Sequence, residues 1–163
     1  MLGLKAAELE NRLELFVETF VTVDIRLLQP SDTTLLDHVA ADVFDDPVDP
    51  RWAAEFFRDP RHHLAVAIDD GMVVGMASAV HYVHPDKPPQ LFINEVGVAA
   101  SHHRRGIARQ LLDVLLQHGR RLDCTEAWVL TDESNAPARQ LYEACGGAAA
   151  PEPSVMYTFP LRA

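Results

Sequence analysis

Only two of the 163 residues are cysteine, and Cys124 and Cys145 lie far apart without metal-ligand spacing. That scarcity excludes a disulfide framework and a thiolate zinc site as the organising device. Long apolar runs are also missing. Within Met1 to Phe20, Glu8, Glu10, Glu14 and Glu18 interrupt any run, which removes both a signal core and a membrane span. The expected compartment is the cytoplasm. Positive charge is scarce overall: 14 Lys and Arg stand against 24 Asp and Glu, a formal net charge of -10. A chain so acidic is a poor partner for nucleic acid or an anionic membrane, both of which call for a basic surface. Internal repeats are absent, and the small-residue stretch Gly146 to Ala150 is the one low-complexity tract.

What remains is a chain 48% hydrophobic, long enough to bury one full core without metal or disulfide support. Leu9, Leu13, Phe16, Val17 and Phe20 fall on one helical face, so residues 1–20 read as an amphipathic extension packed on the domain or on a second subunit. Such an extension is compatible with a homodimer. Residues 21–163 form the domain proper.

A first strand is expected at Val21 to Leu28. Pro30, Ser31 and Asp32 signal the start of a short helix running to about Phe44, and Arg51 to Arg58 a second one between Pro50 and Pro60. His63 to Ile68 and Met72 to Val80 flank Asp69-Asp70-Gly71, which has hairpin-turn chemistry. His84 to Gln90, with Pro85, Pro88 and Pro89, reads as a loop outside any central strand. Leu91 to Val98 is the next strand and Arg104 to Gly119 an apolar-periodic helix. A strand at Glu126 to Thr131, a helix at Asn135 to Cys145 and a last strand at Val155 to Phe159 complete the order. Hairpins mixed with strand-helix crossovers predict an α/β fold, a mixed and mostly antiparallel sheet with helices on both faces.

Charge is unevenly spread. Eight acidic residues between Ser31 and Pro60 face only Arg51 and Arg58, a local net of -6, whereas Ser101 to Arg121 carries a local net of +4. One region suits a cation and the other an anion. The basic region contains Val96-Gly97-Val98-Ala99-Ala100-Ser101-His102-His103-Arg104-Arg105-Gly106-Ile107-Ala108, a strand that turns into a helix. A helix start offers unpaired N–H groups and the positive dipole end, Gly106 and Ala108 allow close approach, and arginines add charge, so the segment is built for an anion such as phosphate. Taken alone, Arg-Arg-Gly before a helix is also what a solvated turn looks like.

The second segment, one strand downstream, is Asn135-Ala136-Pro137-Ala138-Arg139-Gln140-Leu141-Tyr142-Glu143-Ala144-Cys145-Gly146-Gly147. In order, separation and flanking elements the two segments resemble the GNAT N-acetyltransferases over residues 23 to 160. The resemblance implies acetyl-CoA as cosubstrate, with no metal. It implies that N–H groups from His103 through Arg104, Arg105, Gly106 and Ile107 to Ala108 hold the pyrophosphate, and that the backbone of Val96 and Val98 lies along the pantetheine. Asn135 would meet the cofactor through its side chain. His103 departs from the family pattern, which has Gln or Arg there; because this loop acts through backbone N–H groups, the change is tolerable.

Tyr142 matches the family position near the thiol sulfur, which makes it the expected general acid. The alternative is a tyrosine at the core edge whose hydroxyl caps a backbone group. Glu95, just before Val96, is the first candidate for the base; holding the substrate ammonium or making a structural hydrogen bond are its other roles. His81 and His84 lack a third ligand for zinc, and Cys145 within a helix reads as packing. The acidic stretch falls where such chains shape the acceptor pocket, implying a polycationic small-molecule amine, although a solvated acidic face has the same composition. Val43-Phe44-Asp45, the Tyr82-Val83 loop, the Ile93 to Val98 strand and Leu141-Tyr142 further resemble the aminoglycoside 3-N-acetyltransferases of this family. A different small amine, a polyamine or a protein amine, or a non-catalytic acetyl-CoA sensor, are the other readings.

Overall fold

The computed structural model describes residues 23–152 and 155–161. The amphipathic extension expected at 1–20 lies outside them. Five strands form one sheet in chain order: β1 (Asp24–Leu27), β2 (His62–Asp69), β3 (Met72–His84), β4 (Lys87–Val98) and β5 (Glu126–Val129). The first four pair antiparallel, and β5 joins β4 parallel. Helices α1 (Pro50–Arg58), α2 (Ile107–Arg121) and α3 (Ala136–Ala144) complete the fold. The α/β class and the mixed, mainly antiparallel sheet are as expected.

The hairpin between β2 and β3 turns where Asp69-Asp70-Gly71 places it. Asp70 and Gly71 have φ of 49° and 76°, the left-handed pair that a two-residue turn matched to strand twist requires. On one face of the sheet, Ile107, Leu111, Leu112 and Leu115 of α2 are buried against Ala65, Ala77, Leu91 and Ile93. Gly119 closes the far end of that contact, since a Cβ there would lie 3.1 Å from the Leu91 side chain. Leu141 and Tyr142 of α3, and Cys145 just past its end, pack on the edge of the same cluster. The opposite face buries Leu28, Leu36, Val43, Leu64, Val66, Val73 and Met76, roofed by α1 and the segment before it.

Three expectations need correction. The helix expected to reach Phe44 is a 3-10 helix ending at Asp37 (Pro30–Asp37). Beyond it the backbone leaves to pair with the start of β3, with Val73 N–H donating to His38 and Ala40 N–H to Val73, each at 2.8 Å. Residues 87–90, expected in a loop, belong to β4 despite Pro88 and Pro89. The prolines are accommodated because the register with β3 shifts there, between the pairs Tyr82↔Gln90 and His84↔Lys87, so their missing N–H groups break no regular ladder. Pro89 still accepts a hydrogen bond from Thr125 N–H at 3.0 Å. Finally, Val155 to Phe159 is no strand. Pro151, Pro153 and Pro160 bracket it, and Val155, Met156, Tyr157 and Phe159 are exposed.

Candidate active site

Strand β4 is the axis of the site. It pairs with β5 from Gln90↔Glu126 to Ile93↔Val129 and no further. At that point Ser78 of β3 faces Glu95 while Ala79 faces Ile93, which leaves Asn94 as an extra residue. A bulge of this kind bends the strand and increases its twist. From Glu95 to Val98, β4 keeps its pairing to β3 but has left β5, so its other edge carries free backbone groups. Val96 and Val98, which the family resemblance assigns to the pantetheine, lie along this edge.

The bulge also sets which side chains face which way. Val96 and Val98 turn toward α2 and pack on its cluster, whereas Glu95 and Gly97 face the other layer. There the Val43 to Asp46 segment crosses β4 so closely that a Cβ on Gly97 would sit 2.1 Å from the Val43 carbonyl oxygen. This contact brings Asp45 onto Glu95. The backbone N–H of Asp45 donates to the Glu95 carboxylate, yet burial, followed by the negative charge of Asp45, still raises the carboxyl above its ordinary range. A carboxylate tuned upward beside an opening is a stronger base than an ordinary one.

The other end of the opening is the start of α2. Ala99 N–H bonds to Val74 at 2.9 Å, and the chain makes a 3-10 turn over Ala100–His102. Arg104 and Gly106 both take left-handed φ, 60° and 75°. Gly106 is the cap residue of α2 and supplies no side-chain cap. Gln110 N–H is the first to reach back into the turn, at 3.2 Å to Gly106; the N–H groups of Ile107, Ala108 and Arg109 therefore precede any intrahelical acceptor. Left-handed residues in such a turn concentrate N–H groups into an anion-binding concavity. His103 uses its Nε2 on the Val98 carbonyl, at 2.8 Å, tying the turn to the end of β4. His102 and Arg105 both reach Asp69 at the end of β2, at 2.9 and 3.6 Å. The turn is thus fixed from two sides.

Helix α3 starts at Asn135, whose Oδ1 accepts from Ala138 N–H at 3.2 Å. That bond spends the side-chain oxygen on capping the helix and leaves the amide nitrogen as the group able to meet a cofactor. At the other end, Gly147 N–H bonds to Tyr142 O at 2.9 Å and Gly146 N–H to Glu143 O at 3.0 Å, with Gly146 at φ 88°. This left-handed closure satisfies the last carbonyls and fixes the turn that carries Tyr142. Burial raises the Tyr142 phenol above its ordinary value, so it is protonated at neutral pH and able to donate. Cys145 is half-buried in the same cluster, its thiol pushed up by burial, which suits packing and not nucleophilic attack.

The acidic stretch, Glu55 aside, resolves into two groups. Asp32 caps the Gln29 N–H at 2.9 Å, and Asp49 and Asp59 pair with Arg51 and Arg61 at 2.6 Å, whose guanidiniums hold both carboxyls below the usual range. Asp37, Asp42, Asp45 and Asp46 instead line a groove of about 780 Å³ with Thr33 and Thr34. Asp45 joins this groove to Glu95. Among the described residues no group of side chains is arranged for a metal ion. His81 bonds to His63 at 2.8 Å, and His63 to His118 of α2 at 3.0 Å, a chain that no local pattern in the sequence announces.

The pattern of the acetyltransferase (GNAT) family matches residues 26–147. This chain belongs to the GNAT family. Mycothiol acetyltransferase of Thermomonospora curvata is 33% identical over 136 residues, covering 76% of this chain and 43% of that protein. Aminoglycoside N(6')-acetyltransferase type 1 of Salmonella typhimurium is 31% identical over 90 residues, covering 52% of this chain and 62% of that protein. The chain thus spans less than two thirds of either relative. Among solved structures, an aminoglycoside acetyltransferase from an uncultured soil metagenomic sample, in complex with trehalose, superposes with a TM-score of 0.73 at 18% identity, over 90% of this chain and 99% of that one. That likeness shows the GNAT fold.

Proposed function

We propose that this GNAT protein transfers an acetyl group from acetyl-CoA to an amine of a polycationic aminoglycoside, at the 3-amino position. The observation that carries the transfer reading is the parting of β4 from β5 at Asn94, with the uncapped start of α2 at one end and Glu95 just past the bulge; Tyr142 is assigned by the motif it stands in. The N–H groups from His103 to Ala108 fit a pyrophosphate, and the free edge at Val96 and Val98 fits the amides of pantetheine. Acetyl-CoA supplies the activated acyl group.

The chain's own residues supply the rest. Glu95 takes the proton of the attacking ammonium, directly or through water, so that a neutral amine meets the thioester carbonyl. Free N–H groups of β4 beyond the bulge stabilise the oxygen as it gains charge. Tyr142 gives its proton to the departing thiolate as the carbon–sulfur bond breaks, and the second N–H proton of the adduct, released as the amide forms, restores the phenol. Four carboxylates along the groove, Asp37, Asp42, Asp45 and Asp46, supply a field that favours an acceptor with several ammonium groups over a monoamine. The aminoglycoside acetyltransferase names among the relatives point the same way, and the motif resemblance favours the 3-amine where one relative is named for the 6'-amine.

The test is thiol release from acetyl-CoA with gentamicin, kanamycin, spermidine and a lysine-rich peptide, followed by NMR of the product. Turnover with gentamicin and acetylation at the 3-amine are expected. Acetylation at the 6'-amine overturns the position, and turnover with spermidine or peptide alone overturns the substrate class. Binding of acetyl-CoA without turnover of any acceptor replaces the enzyme reading with that of a sensor.

A further inference from the structure

The face of the sheet that carries Glu95 also carries aromatic rings that the transfer chemistry leaves unused. Across the β3 and β4 ladder, Ser78 pairs with Glu95, Val80 with Phe92 and Tyr82 with Gln90. Alternate residues of β3 share a face, so Glu95, Phe92 and Gln90 are presented on one side despite the bulge. The parallel partner of Phe92 is Trp128 and that of Gln90 is Glu126. Trp128 lies one residue before the end of the β4 and β5 pairing, next to the opening.

The rings are held in place. Trp128 packs on Phe92 with centroids 4.4 Å apart and meets Tyr82 edge-on at 6.4 Å. Its indole N–H donates to the Tyr82 hydroxyl at 3.1 Å. That hydroxyl donates to the Gln90 side-chain oxygen, and the Gln90 amide donates to Glu126 at 2.8 Å. Even so, Trp128 keeps 36% of its surface exposed. A partly open indole whose N–H and flanks are already engaged is a flat apolar surface that needs little ordering to bind. Carboxylates stand on both sides of it: Glu126, two residues before it on β5, and Glu95 beyond the bulge.

We propose that Trp128 is a stacking platform for a non-reacting amino-sugar ring of the acceptor, with Glu126 receiving an ammonium on that ring. Carbohydrate C–H faces pack on aromatic faces, a nearby ammonium is drawn to the ring quadrupole, and a carboxylate at the rim adds direction. A flexible linear polyamine satisfies carboxylates but has no ring face to offer the indole. Trp128 would therefore select for shape, where the aspartates of the groove select for charge. The inference rests on the aminoglycoside reading, and its test separates the two.

Trp52 is the only other tryptophan, 64% exposed on α1. In the Trp52→Phe protein the indole emission comes from Trp128 alone. Titration with gentamicin in the presence of CoA is expected to change that emission saturably, and spermidine at equal concentration is not. Trp128→Ala is expected to raise the gentamicin KM about tenfold, the size of a lost ring contact, with kcat and the acetyl-CoA KM unchanged and partial recovery in Trp128→Phe. Acetylation of gentamicin with no emission change refutes the platform and leaves the transfer reading intact. Equal changes with spermidine reduce the site to a cation site and also refute it. A saturable gentamicin signal without acetylation supports the platform and refutes the transfer reading instead, and absence of both signal and transfer overturns both.

Discussion

His63 makes acid stability a direct test of the packing behind α2. It is 7% exposed, with His81 on one ring nitrogen at 2.8 Å and His118 on the other at 3.0 Å. The three imidazoles are satisfied when all are neutral: one nitrogen of His63 donates and the other accepts. Burial, then the neighbouring His118 and His81, lowers the His63 pKa from 6.5 to about 4. Between those values the unfolded chain binds a proton that the folded chain refuses. Stability is accordingly full above about pH 6.5 and falls as the pH drops toward 4. At about 1.4 kcal/mol for each pH unit of that window, the loss amounts to roughly 3 kcal/mol, a large share of a domain's total stability. Urea denaturation at intervals from pH 7.5 to 4.5 measures it. His63→Phe, with a ring of similar size and no titration, is expected to start less stable, because His118 and His81 lose a partner, but to show a shallower decline. The same decline in wild type and variant would refute the assignment to His63.

Other predictions concern the site. Tyr142→Phe is expected to reduce kcat by about a hundredfold, the usual scale of a general acid, with unchanged acetyl-CoA affinity by calorimetry; a reduction under about threefold removes Tyr142 from the chemistry. Glu95→Gln is expected to abolish the acidic limb of the kcat/KM profile, a limb that in the wild type lies above the ordinary carboxylate range because the carboxyl is held upward; an unchanged profile rejects Glu95 as the base. Gly97→Ala forces Val43 away from a 2.1 Å contact and is expected to cost about 1–3 kcal/mol in urea denaturation. Asp69→Asn loosens the hold on His102 and Arg105 and is expected to raise the acetyl-CoA KM several-fold while the acceptor KM stays constant, both read from steady-state kinetics.

The local chemistry of the chain carried much of this architecture. Asp70-Gly71 can scarcely do anything but turn a hairpin, and the spacing of Ile107, Leu111, Leu112 and Leu115 admits one helical face. The turn before α2 was legible because its ingredients, Gly106 and a helix start, are consecutive in sequence. What escaped reading depends on contacts between distant segments. Pro88 and Pro89 argued for a loop, and only the register shift against Tyr82 and His84 shows how a strand tolerates them. The helix expected to reach Phe44 ends because His38 and Ala40 find partners at Val73. Val155 to Phe159 has the composition of a strand, but composition does not provide an adjacent edge. The His63, His81 and His118 chain joins two strands and a helix, and no local pattern announces it. Trp128 stood in an expected strand, and period-two alternation could have paired it with Phe92 had the register been known.

Asn94 is a single residue with the effect of a phase change. Ahead of it, odd positions of β4, Leu91 and Ile93, point at α2; behind it, even positions, Val96 and Val98, do. Regular alternation with Asn94 kept in the ladder would send every following side chain to the opposite face: Glu95 would enter the apolar layer under α2, and Val96 would meet the acidic groove. The bulge holds Asn94 out of that count, so deleting this one residue would leave Glu95, Val96 and Val98 on their present faces and remove only the local bend. The deletion therefore separates the bend of β4 from the identity of the side chains on each face, which no exchange of side chain can do.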